Sequence, residues 1–325
     1  MKQLYPLKFR TIYKDKIWGG NKIRTVLGKD FGDLPNCGET WEISGVEGNV
    51  SVVVNGFLQG QNLSELLANY QSDLVGKSVY TKFGNEFPLL IKFIDANKDL
   101  SIQVHPDDAL ARERHGSFGK TEMWYVLQAD PGARLISGFN QAMDQQKYLQ
   151  YFESGKLTDI LNQEEVQTGD VFFLPAGRVH TIGKGLLIAE IQQTSDVTYR
   201  IYDFDREDAK GNKRELHVEQ ALDAIDFNFY DDYKTRYDFR QDQPVELVSC
   251  PYFTTRKLQL TRNFASDKEI DSFRILIALE GKGVLSTDDY ELDIKMGEAI
   301  LVPAVSGSYH IEPKGKTTLL ESYIE

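Results

Sequence analysis

Residues 169–176 read Gly-Asp-Val-Phe-Phe-Leu-Pro-Ala, and residues 297–304 read Gly-Glu-Ala-Ile-Leu-Val-Pro-Ala. In both stretches a glycine and an acidic residue precede an apolar run that ends at Pro-Ala, and a histidine follows, His180 or His310. A second pair of similar apolar runs lies upstream, at residues 123–129 and 275–281. The same order of apolar strand, turn, apolar strand and histidine therefore occurs twice, which indicates an internal repeat of β structure.

This order is typical of the cupin type of jelly-roll barrel. Runs rich in Val, Ile, Leu, Phe and Tyr, bounded by Gly and Pro, predict strands over 50–55, 87–95, 123–128, 170–174, 186–191 and 273–279. Apolar residues at helical spacing predict helices over 62–75 (with Asn62 as N-cap), 107–114, 141–161 and 216–225. We therefore predict a mainly β protein, made of two cupin-type jelly-roll barrels with a few added helices.

Composition limits the classes of function. The hydrophobic fraction of 41% suits a buried core, and no apolar run approaches the length of about 20 residues that spans a bilayer. The net charge of −12 argues against a nucleic-acid partner. The N-terminus has no apolar signal region, and two distant cysteines, Cys37 and Cys250, do not suggest a disulfide framework. We expect a cytoplasmic protein with no membrane partner, and the sequence does not predict its oligomeric state.

The densest group of possible metal ligands begins in the stretch Leu-Ser-Ile-Gln-Val-His-Pro-Asp-Asp, residues 100–108. Gln103 and His105 are two residues apart, so on a strand both side chains point to one side of the sheet. Glu122 begins a later apolar run, and His180 follows the Pro-Ala turn. An amide, two imidazoles and a carboxylate that converge inside a barrel form a set of N and O ligands suited to one Zn²⁺ per chain.

The remaining histidines do not extend this group. His115 lies in a polar segment and His217 near a helix start, so we expect both to be solvated. His310 lies in the second repeat without a Gln-x-His pair, which predicts that this repeat holds no metal. The acidic, Tyr-rich stretch 226–243 is interpreted as a linker. We predict a catalytic, metal-binding cupin domain with helical insertions over residues 1–235 and a C-terminal cupin-like barrel without a metal site over residues 236–325.

A second group of polar residues lies in the stretch 190–206. Glu190 and Gln192 alternate onto one face of a predicted strand, and Arg200 follows a polar turn. A carboxylate beside a metal could act as a general base, and an arginine suits a phosphate or an enediolate oxygen. The alternative interpretation is a charged surface turn held by an Arg–Asp pair.

Two lysines also occupy unusual positions. Lys92 interrupts an apolar strand, where burial of an unpaired charge would be costly. Lys120 lies two residues before Glu122 and on its side of the strand. A substrate anion could be the partner of either lysine, and a structural salt bridge is the competing interpretation for Lys92.

The chain resembles the type I mannose-6-phosphate isomerases (phosphomannose isomerases), especially their short bacterial form. The matching motifs occur in family order over roughly residues 5–206, and the stretch at 100–106 is the most specific of them; they lie at residues 17–20, 38–44, 88–92, 100–107, 120–122, 175–180 and 190–200. The resemblance implies interconversion of mannose 6-phosphate and fructose 6-phosphate by a zinc-assisted, cis-enediol mechanism.

The resemblance also implies roles for individual residues. It makes Gln103, His105, Glu122 and His180 the zinc ligands. It makes Arg200 catalytic, with Lys92, Lys120 and Ser101 lining the sugar-phosphate pocket and Glu190 or Lys120 as the base. Longer members of the family carry a histidine directly before the lysine that matches Lys120, whereas this chain has Gly119, so the role of that histidine does not transfer.

Two other classes of function remain open at this stage. A cupin can be a metal-dependent oxygenase, although a glutamine among the predicted ligands argues against redox iron. A cupin can also bind sugar without catalysis, although the presence of Lys120, Glu190 and Arg200 beside the ligand set argues against that. Metal analysis, oxygen consumption and a turnover assay distinguish the three functions.

Overall fold

The computed structural model describes residues 3–207, 210–266 and 270–325. The strands of the N-terminal part are β1 (Leu7–Lys8), β2 (Ile12–Lys14), β3 (Glu39–Ile43), β4 (Leu89–Ala96), β5 (Ile102–Val104), β6 (Glu122–Ala129), β7 (Arg134–Phe139), β8 (Leu161–Glu165), β9 (Val171–Leu174), β10 (His180–Ile182), β11 (Leu186–Gln193), β12 (Tyr199–Tyr202) and β13 (Lys234–Thr235). The remaining strands are β14 (Pro244–Ser249), β15 (Thr254–Leu260), β16 (Phe264–Ala265), β17 (Arg274–Glu280), β18 (Lys282–Ser286), β19 (Glu291–Lys295), β20 (Ala299–Val302), β21 (His310–Pro313) and β22 (Thr317–Tyr323).

The helices connect these strands and cover their ends. They are α1 (Lys22–Thr25), α2 (Leu63–Tyr70), α3 (Ser72–Val75), α4 (Lys77–Phe83), α5 (Asp108–His115), α6 (Gln145–Glu153) and α7 (Val218–Ala224), with short 3₁₀ turns at Gly56–Leu58, Leu157–Ile160 and Ala304–Ser306. None of these helices combines the length and apolar character needed to cross a membrane.

The described strands form four antiparallel sheets that repeat one order. A seven-stranded sheet (β13-β9-β6-β11-β4-β3-β2) faces a five-stranded sheet (β12-β5-β10-β7-β8), and a six-stranded sheet (β1-β20-β17-β22-β15-β14) faces a four-stranded sheet (β16-β21-β18-β19). The order β9-β6-β11-β4 in the first pair therefore corresponds to β20-β17-β22-β15 in the second. We call the two pairs the N-terminal and the C-terminal sandwich.

The seven-stranded sheet is buried on both faces, which explains why β4 and β11 are almost continuously apolar. Alternate residues of β4 point to opposite sides. Ile91 and Phe93 join a core shared with the six-stranded sheet, whereas Ile94 and Ala96 join the core of the N-terminal sandwich. Lys92 has the same parity as Ile94, so its ammonium group is directed into the N-terminal sandwich.

The mainly β class predicted from the sequence is confirmed, and most predicted elements are present. Asn62 caps α2 through a reciprocal capping box with Glu65, as expected. The predicted helix over 141–161 is shorter, because α6 ends before Gly155, whose φ of +71° is left-handed. The predicted strand over 50–55 forms only isolated bridges, Phe9 to Val53 and Val52 to Asn62.

Two segments connect the two parts of the chain. β1 pairs with β20, so the N-terminus lies on the sheet of the C-terminal sandwich. The stretch interpreted as a linker lies against the N-terminal sandwich, where β13 pairs with β9 and Tyr233 is buried. Closed barrels and a boundary between residues 235 and 236 stay predictions.

Candidate active site

Two histidines and one glutamate converge at one end of the N-terminal sandwich. Glu122 is the first residue of β6, His180 is the first residue of β10, and His105 directly follows β5. The Nε2 atoms of His180 and His105 lie 3.3 and 3.6 Å from the two carboxylate oxygens of Glu122. All three side chains are buried, and among the described residues no other group of His, Cys, Asp or Glu is close enough to hold a metal.

Backbone carbonyls orient both imidazole rings. His105 Nδ1 lies 3.0 Å from the carbonyl oxygen of Val197, and His180 Nδ1 lies 2.8 Å from that of Arg178. A carbonyl oxygen can only accept, so each Nδ1 carries the proton and each Nε2 presents a lone pair to the cluster. Such a second contact is the usual way in which proteins fix a metal-binding histidine.

The cluster contains unmet polar groups that fit a cation. His105 Nε2 and both oxygens of Glu122 have no hydrogen-bond partner among the described residues, although the Lys120 ammonium lies 3.2 Å from one of these oxygens. Burial lowers the pKa of His180 to about 4 and that of His105 well below its usual value. Burial, followed by the charge of Glu190, raises the pKa of Glu122. Neutral imidazoles and an uncompensated carboxylate are suitable ligands for Zn²⁺.

Gln103 completes the predicted ligand set. It lies directly opposite His180 between β5 and β10, and its amide Nε2 is 3.2 Å from His180 Nε2. The amide nitrogen only donates, so in this orientation it donates an N–H to the lone pair of His180 Nε2. A half-turn of the amide would bring its oxygen to the cluster. The four residues predicted as metal ligands are therefore neighbours.

A cavity of about 300 Å³ opens beside the cluster. Its wall contains six of the residues predicted from the sequence, namely Lys92, Ser101, Gln103, Lys120, Glu190 and Arg200. The apolar part of the wall is formed by Trp18, Trp41, Ile94, Leu100 and Ile182. A larger cavity of about 430 Å³ lies elsewhere, beside Lys22, Asp130 and Lys184, but none of the predicted residues lines it. The candidate site is therefore the smaller cavity, which contains the predicted residues.

Lys92 and Glu190 are fixed by each other. They are directly opposite on β4 and β11, and Lys92 Nζ donates to Glu190 Oε1 at 2.9 Å and to Gln192 Oε1 at 2.6 Å. The other Glu190 oxygen accepts from Trp124 Nε1 at 2.8 Å. Although burial opposes ionisation, the charges of Lys92 and Lys120 keep the pKa of Glu190 below its usual value. The salt bridge considered as the alternative for Lys92 is present, and it lies in the wall of the cavity.

Arg200 lies on β12 directly opposite Gln103, and its guanidinium lines the cavity. Its NH1 donates to the carbonyl oxygen of Glu215 at 2.8 Å, whereas its buried Nε has no partner among the described residues. The Arg–Asp pair expected of a surface turn does exist in this stretch. However, the arginines that pair with Asp203 are Arg206 and Arg214, and Arg200 is not one of them.

Several cavity residues were missed by the sequence analysis. Lys16, Glu39, Trp41 and Arg214 line the cavity, and His217, expected to be solvated, is half-buried and accepts the backbone N–H of Arg200 through Nδ1 at 3.1 Å. Glu39 and Trp41 lie within a motif, residues 38–44, that was identified without a role for its members. No local pattern marks Arg214 as a site residue.

The corresponding end of the C-terminal sandwich holds ion pairs instead of a ligand cluster. Arg274 is the first residue of β17, as Glu122 is of β6. Glu321, which is fully buried, lies 3.3 Å from Arg274 Nε, accepts from Arg256 Nε at 2.9 Å and accepts from the Tyr309 hydroxyl at 2.9 Å. His310 is exposed.

Comparison with known proteins identifies relatives of the whole chain. Residues 6–131 match the family model of the phosphomannose isomerase type I catalytic domain, and residues 243–324 match that of the mannose-6-phosphate isomerase cupin domain. A mannose-6-phosphate isomerase of Streptococcus mutans is 38% identical over 311 residues, which cover 94% of this chain and 95% of that protein.

Solved structures share the fold. The crystal structure of the mannose 6-phosphate isomerase from Bacillus subtilis superposes with a TM-score of 0.89 at 32% identity and covers 99% of this chain and 100% of that one. A zinc-bound mannose 6-phosphate isomerase superposes with a TM-score of 0.80 at 16% identity, with coverage of 99% and 100%. At that identity the second likeness supports the fold alone.

Proposed function

The chain belongs to the type I phosphomannose isomerase family, and from that premise we propose that it interconverts mannose 6-phosphate and fructose 6-phosphate. The observation that carries this proposal is the buried cluster of His105, Glu122 and His180 beside a cavity lined with lysine and arginine. A sugar phosphate is an anion, and these cations are collected in a chain whose net charge is −12.

We propose that one Zn²⁺ per chain is held by Gln103, His105, Glu122 and His180. The unpartnered atoms of His105 and Glu122 and the fixed tautomers of both histidines support this ligand set. When bound, zinc supplies a positive charge that can polarise a carbonyl oxygen of the substrate.

Aldose–ketose isomerisation moves a proton between C1 and C2 while the carbonyl moves between the same carbons, most simply through a cis-enediol. Lys120 and Glu190 are the two groups proposed to move the proton. Both oxygens of Glu190 already accept hydrogen bonds and its pKa is lowered, which makes it a weak base. Lys120 lines the cavity beside Glu122, so we favour Lys120 for the transfer and assign Glu190 to holding Lys92 in place.

Arg200 is the proposed electrophile among the side chains. Its guanidinium neighbours Gln103 and has an unused buried N–H at Nε, so it could donate to an enediolate oxygen. Ser101 and Lys92 line the same cavity and are the proposed contacts to the sugar. Lys92 has three N–H groups, and its two described hydrogen bonds leave one for a substrate oxygen.

A coupled assay with mannose 6-phosphate tests the function directly. We expect turnover by the purified protein, loss of turnover after chelation, and recovery when zinc is restored. Absence of turnover in protein shown to contain zinc would refute the proposal. Oxygen uptake by the same sample would instead favour a cupin oxygenase, and sugar-phosphate binding without turnover would favour a sugar-binding protein.

We also propose that the protein is cytoplasmic and that its partner is a small-molecule sugar phosphate rather than a nucleic acid or a membrane. Both cysteines are free, which fits a reducing compartment. Fractionation of the native host would test the location.

A further inference from the structure

Two guanidinium groups bind one buried carboxylate, and one of them, Arg214, lines the cavity together with Arg200. Asp203, whose side chain is 5% exposed, accepts from Arg214 Nε at 2.6 Å and from Arg214 NH2. It also accepts from Arg206 Nε at 3.2 Å. Arg200 has no carboxylate within ion-pair distance among the described residues. Arg206 and Arg214 therefore share the single charge of Asp203, and the charge of Glu215 acts on Arg200 without forming an ion pair with it among the described contacts.

The other cations of the cavity wall are matched by carboxylates. Lys16 lies 3.2 Å from Glu39, Lys92 lies 2.9 Å from Glu190, and Lys120 lies 3.2 Å from Glu122. The first two pairs are close to neutral, whereas Glu122 is also a proposed zinc ligand. Apart from that metal site, the cation of the cavity wall without a carboxylate partner among the described residues is Arg200, and the charge of Arg214 acts on it from the same wall.

Arg200 and Arg214 are held near each other by the fold. Burial, followed by the positive charge of Arg214, lowers the pKa of Arg200. Asp203 fixes Arg214 through two parallel hydrogen bonds, while the carbonyl oxygen of Glu215 fixes Arg200. Two like charges held together in a partly buried wall repel each other, and an anion between them would remove that repulsion.

We propose that Arg214 is the residue that selects the phosphorylated sugar, by donating to the phosphate dianion, while the charge of neighbouring Arg200 adds attraction and its Nε stays available for the enediolate oxygen. This inference rests on the proposed function and refines it. Asp203 uses Nε and NH2 of Arg214, which leaves the N–H groups of NH1 for phosphate oxygens. Arg214 and the proposed metal ligand Gln103 line the same cavity, so one sugar phosphate in this cavity could contact both. Lys92, whose charge Glu190 already matches, then contacts the sugar rather than the phosphate.

The test compares Arg214→Gln with the wild-type protein in the zinc-loaded enzyme. Phosphate is bound equally in substrate and transition state, so KM for mannose 6-phosphate should rise while kcat changes little. Loss of charge-assisted hydrogen bonds predicts a rise in KM of about 10- to 100-fold. The inhibition constant of inorganic phosphate, used as a competitive probe, should rise by a similar factor. Arg214→Lys keeps the charge and should recover part of both losses.

Arg206→Gln is the matched control. Arg206 also binds Asp203, but its side chain does not line the cavity, so KM and the inhibition constant should stay close to wild type. Unchanged KM and phosphate inhibition in Arg214→Gln would overturn the inference. An equal rise in Arg206→Gln would also overturn it, because the effect would then come from lost support of Asp203 rather than from a phosphate contact. Lack of turnover by the wild type would refute the proposed function alone, because calorimetry with inorganic phosphate still compares the variants.

Discussion

Lys120 and Glu190 are equally plausible bases in the sequence, but their surroundings differ. Glu190 is bound on both oxygens, whereas Lys120 faces the cavity and contacts only a proposed metal ligand among the described carboxylates. A group that transfers a proton must reach the substrate and must change its protonation state during turnover. Lys120 meets the first requirement better than Glu190, because both oxygens of Glu190 already accept hydrogen bonds.

Replacing these residues separates their roles. Lys120→Met, which keeps the length of the side chain, should lower kcat by roughly 10²- to 10⁴-fold because positioned acid–base groups contribute that much. It should also stop the exchange of substrate hydrogen with deuterated water, measured by NMR. Glu190→Gln keeps the bond from Trp124 and should retain this exchange while lowering kcat less. Exchange retained by Lys120→Met and lost by Glu190→Gln would reverse the assignment.

Glu122 should make zinc binding dependent on pH. Its pKa is raised by burial and by Glu190, so a proton competes with the metal for this carboxylate as the pH falls below 7. The pKa of His180, about 4, keeps that ring neutral over the same range. We expect zinc affinity to fall by about tenfold per pH unit between pH 7 and 5, as loss of one ligand proton per ion requires. Competition with a chelator whose own pH dependence is known measures this slope, and a flat profile would contradict the protonation of Glu122.

At the scale of the elements, corresponding strands of the two sandwiches carry different chemistry. β10 and β21 both begin with a histidine, but only His180 meets a carboxylate and a second imidazole. His180→Ala and His105→Ala should therefore abolish zinc binding, whereas His310→Ala should keep close to one zinc per chain and full turnover. Elemental analysis of the purified variants, with circular dichroism to verify folding, checks this. Zinc lost from His310→Ala would reveal a site in the C-terminal sandwich.

The residues of the candidate metal cluster could be named from the sequence because their signals are local. Gln103 and His105 alternate on one strand, and the Pro-Ala turn precedes His180 within a few residues. Arg214 and Lys16 carry no such signal. Arg214 lines the cavity while paired with Asp203, and Lys16 follows an edge strand of the seven-stranded sheet, so strand order and side-chain pairing decide their positions. Contacts between residues far apart in the sequence leave no periodic pattern from which they could be predicted.

The segment 226–243 supports the site rather than only connecting two parts. Arg178, whose carbonyl oxygen orients His180, packs its guanidinium 4.5 and 4.6 Å from the ring centres of Tyr230 and Tyr233. Tyr233 is buried and donates its hydroxyl to the carbonyl oxygen of Phe139 at 2.8 Å. These contacts fix the turn before His180 from outside the sandwich.

Truncation of Tyr233 should reveal this support. Tyr233→Ala should lower the free energy of unfolding by about 3–5 kcal/mol, the usual cost of removing a buried aromatic ring. It should also weaken zinc binding, because Arg178, whose carbonyl oxygen orients His180, loses a ring against which it packs. Tyr230→Ala, at a ring that is 40% exposed, is the control and should cost much less stability. Urea denaturation and zinc titration of both variants measure these effects, and equal losses in the two would contradict a specific role for Tyr233.

At the scale of the whole molecule, the two sandwiches share an apolar core. Ile91 and Phe93 of β4 belong to the same cluster as Ile275 and Ile277 of β17, and β1 joins the N-terminus to the C-terminal sheet. Neither sandwich could unfold without exposing this core to water. We therefore expect the protein to unfold as one cooperative unit although its strand order is repeated.

Two probes test this cooperativity. All three tryptophans, Trp18, Trp41 and Trp124, lie in the N-terminal sandwich, so their fluorescence reports that half alone. Far-ultraviolet circular dichroism reports both halves. In urea the two signals should change at the same midpoint, as a two-state transition requires. Two separated midpoints would show that the halves are independently stable.

The matched strand orders have a historical consequence. Tandem duplication of one ancestral unit would account for them, although only the first unit carries the ligand cluster among the described residues. In the second copy Arg274 stands where the first has Glu122, and Glu321 now binds Arg274, Arg256 and Tyr309. To gain a metal centre at this position, evolution would have to replace these partners one at a time, and each step would leave a buried charge without a partner. The ion pairs therefore work as a ratchet, which commits the chain to one catalytic half.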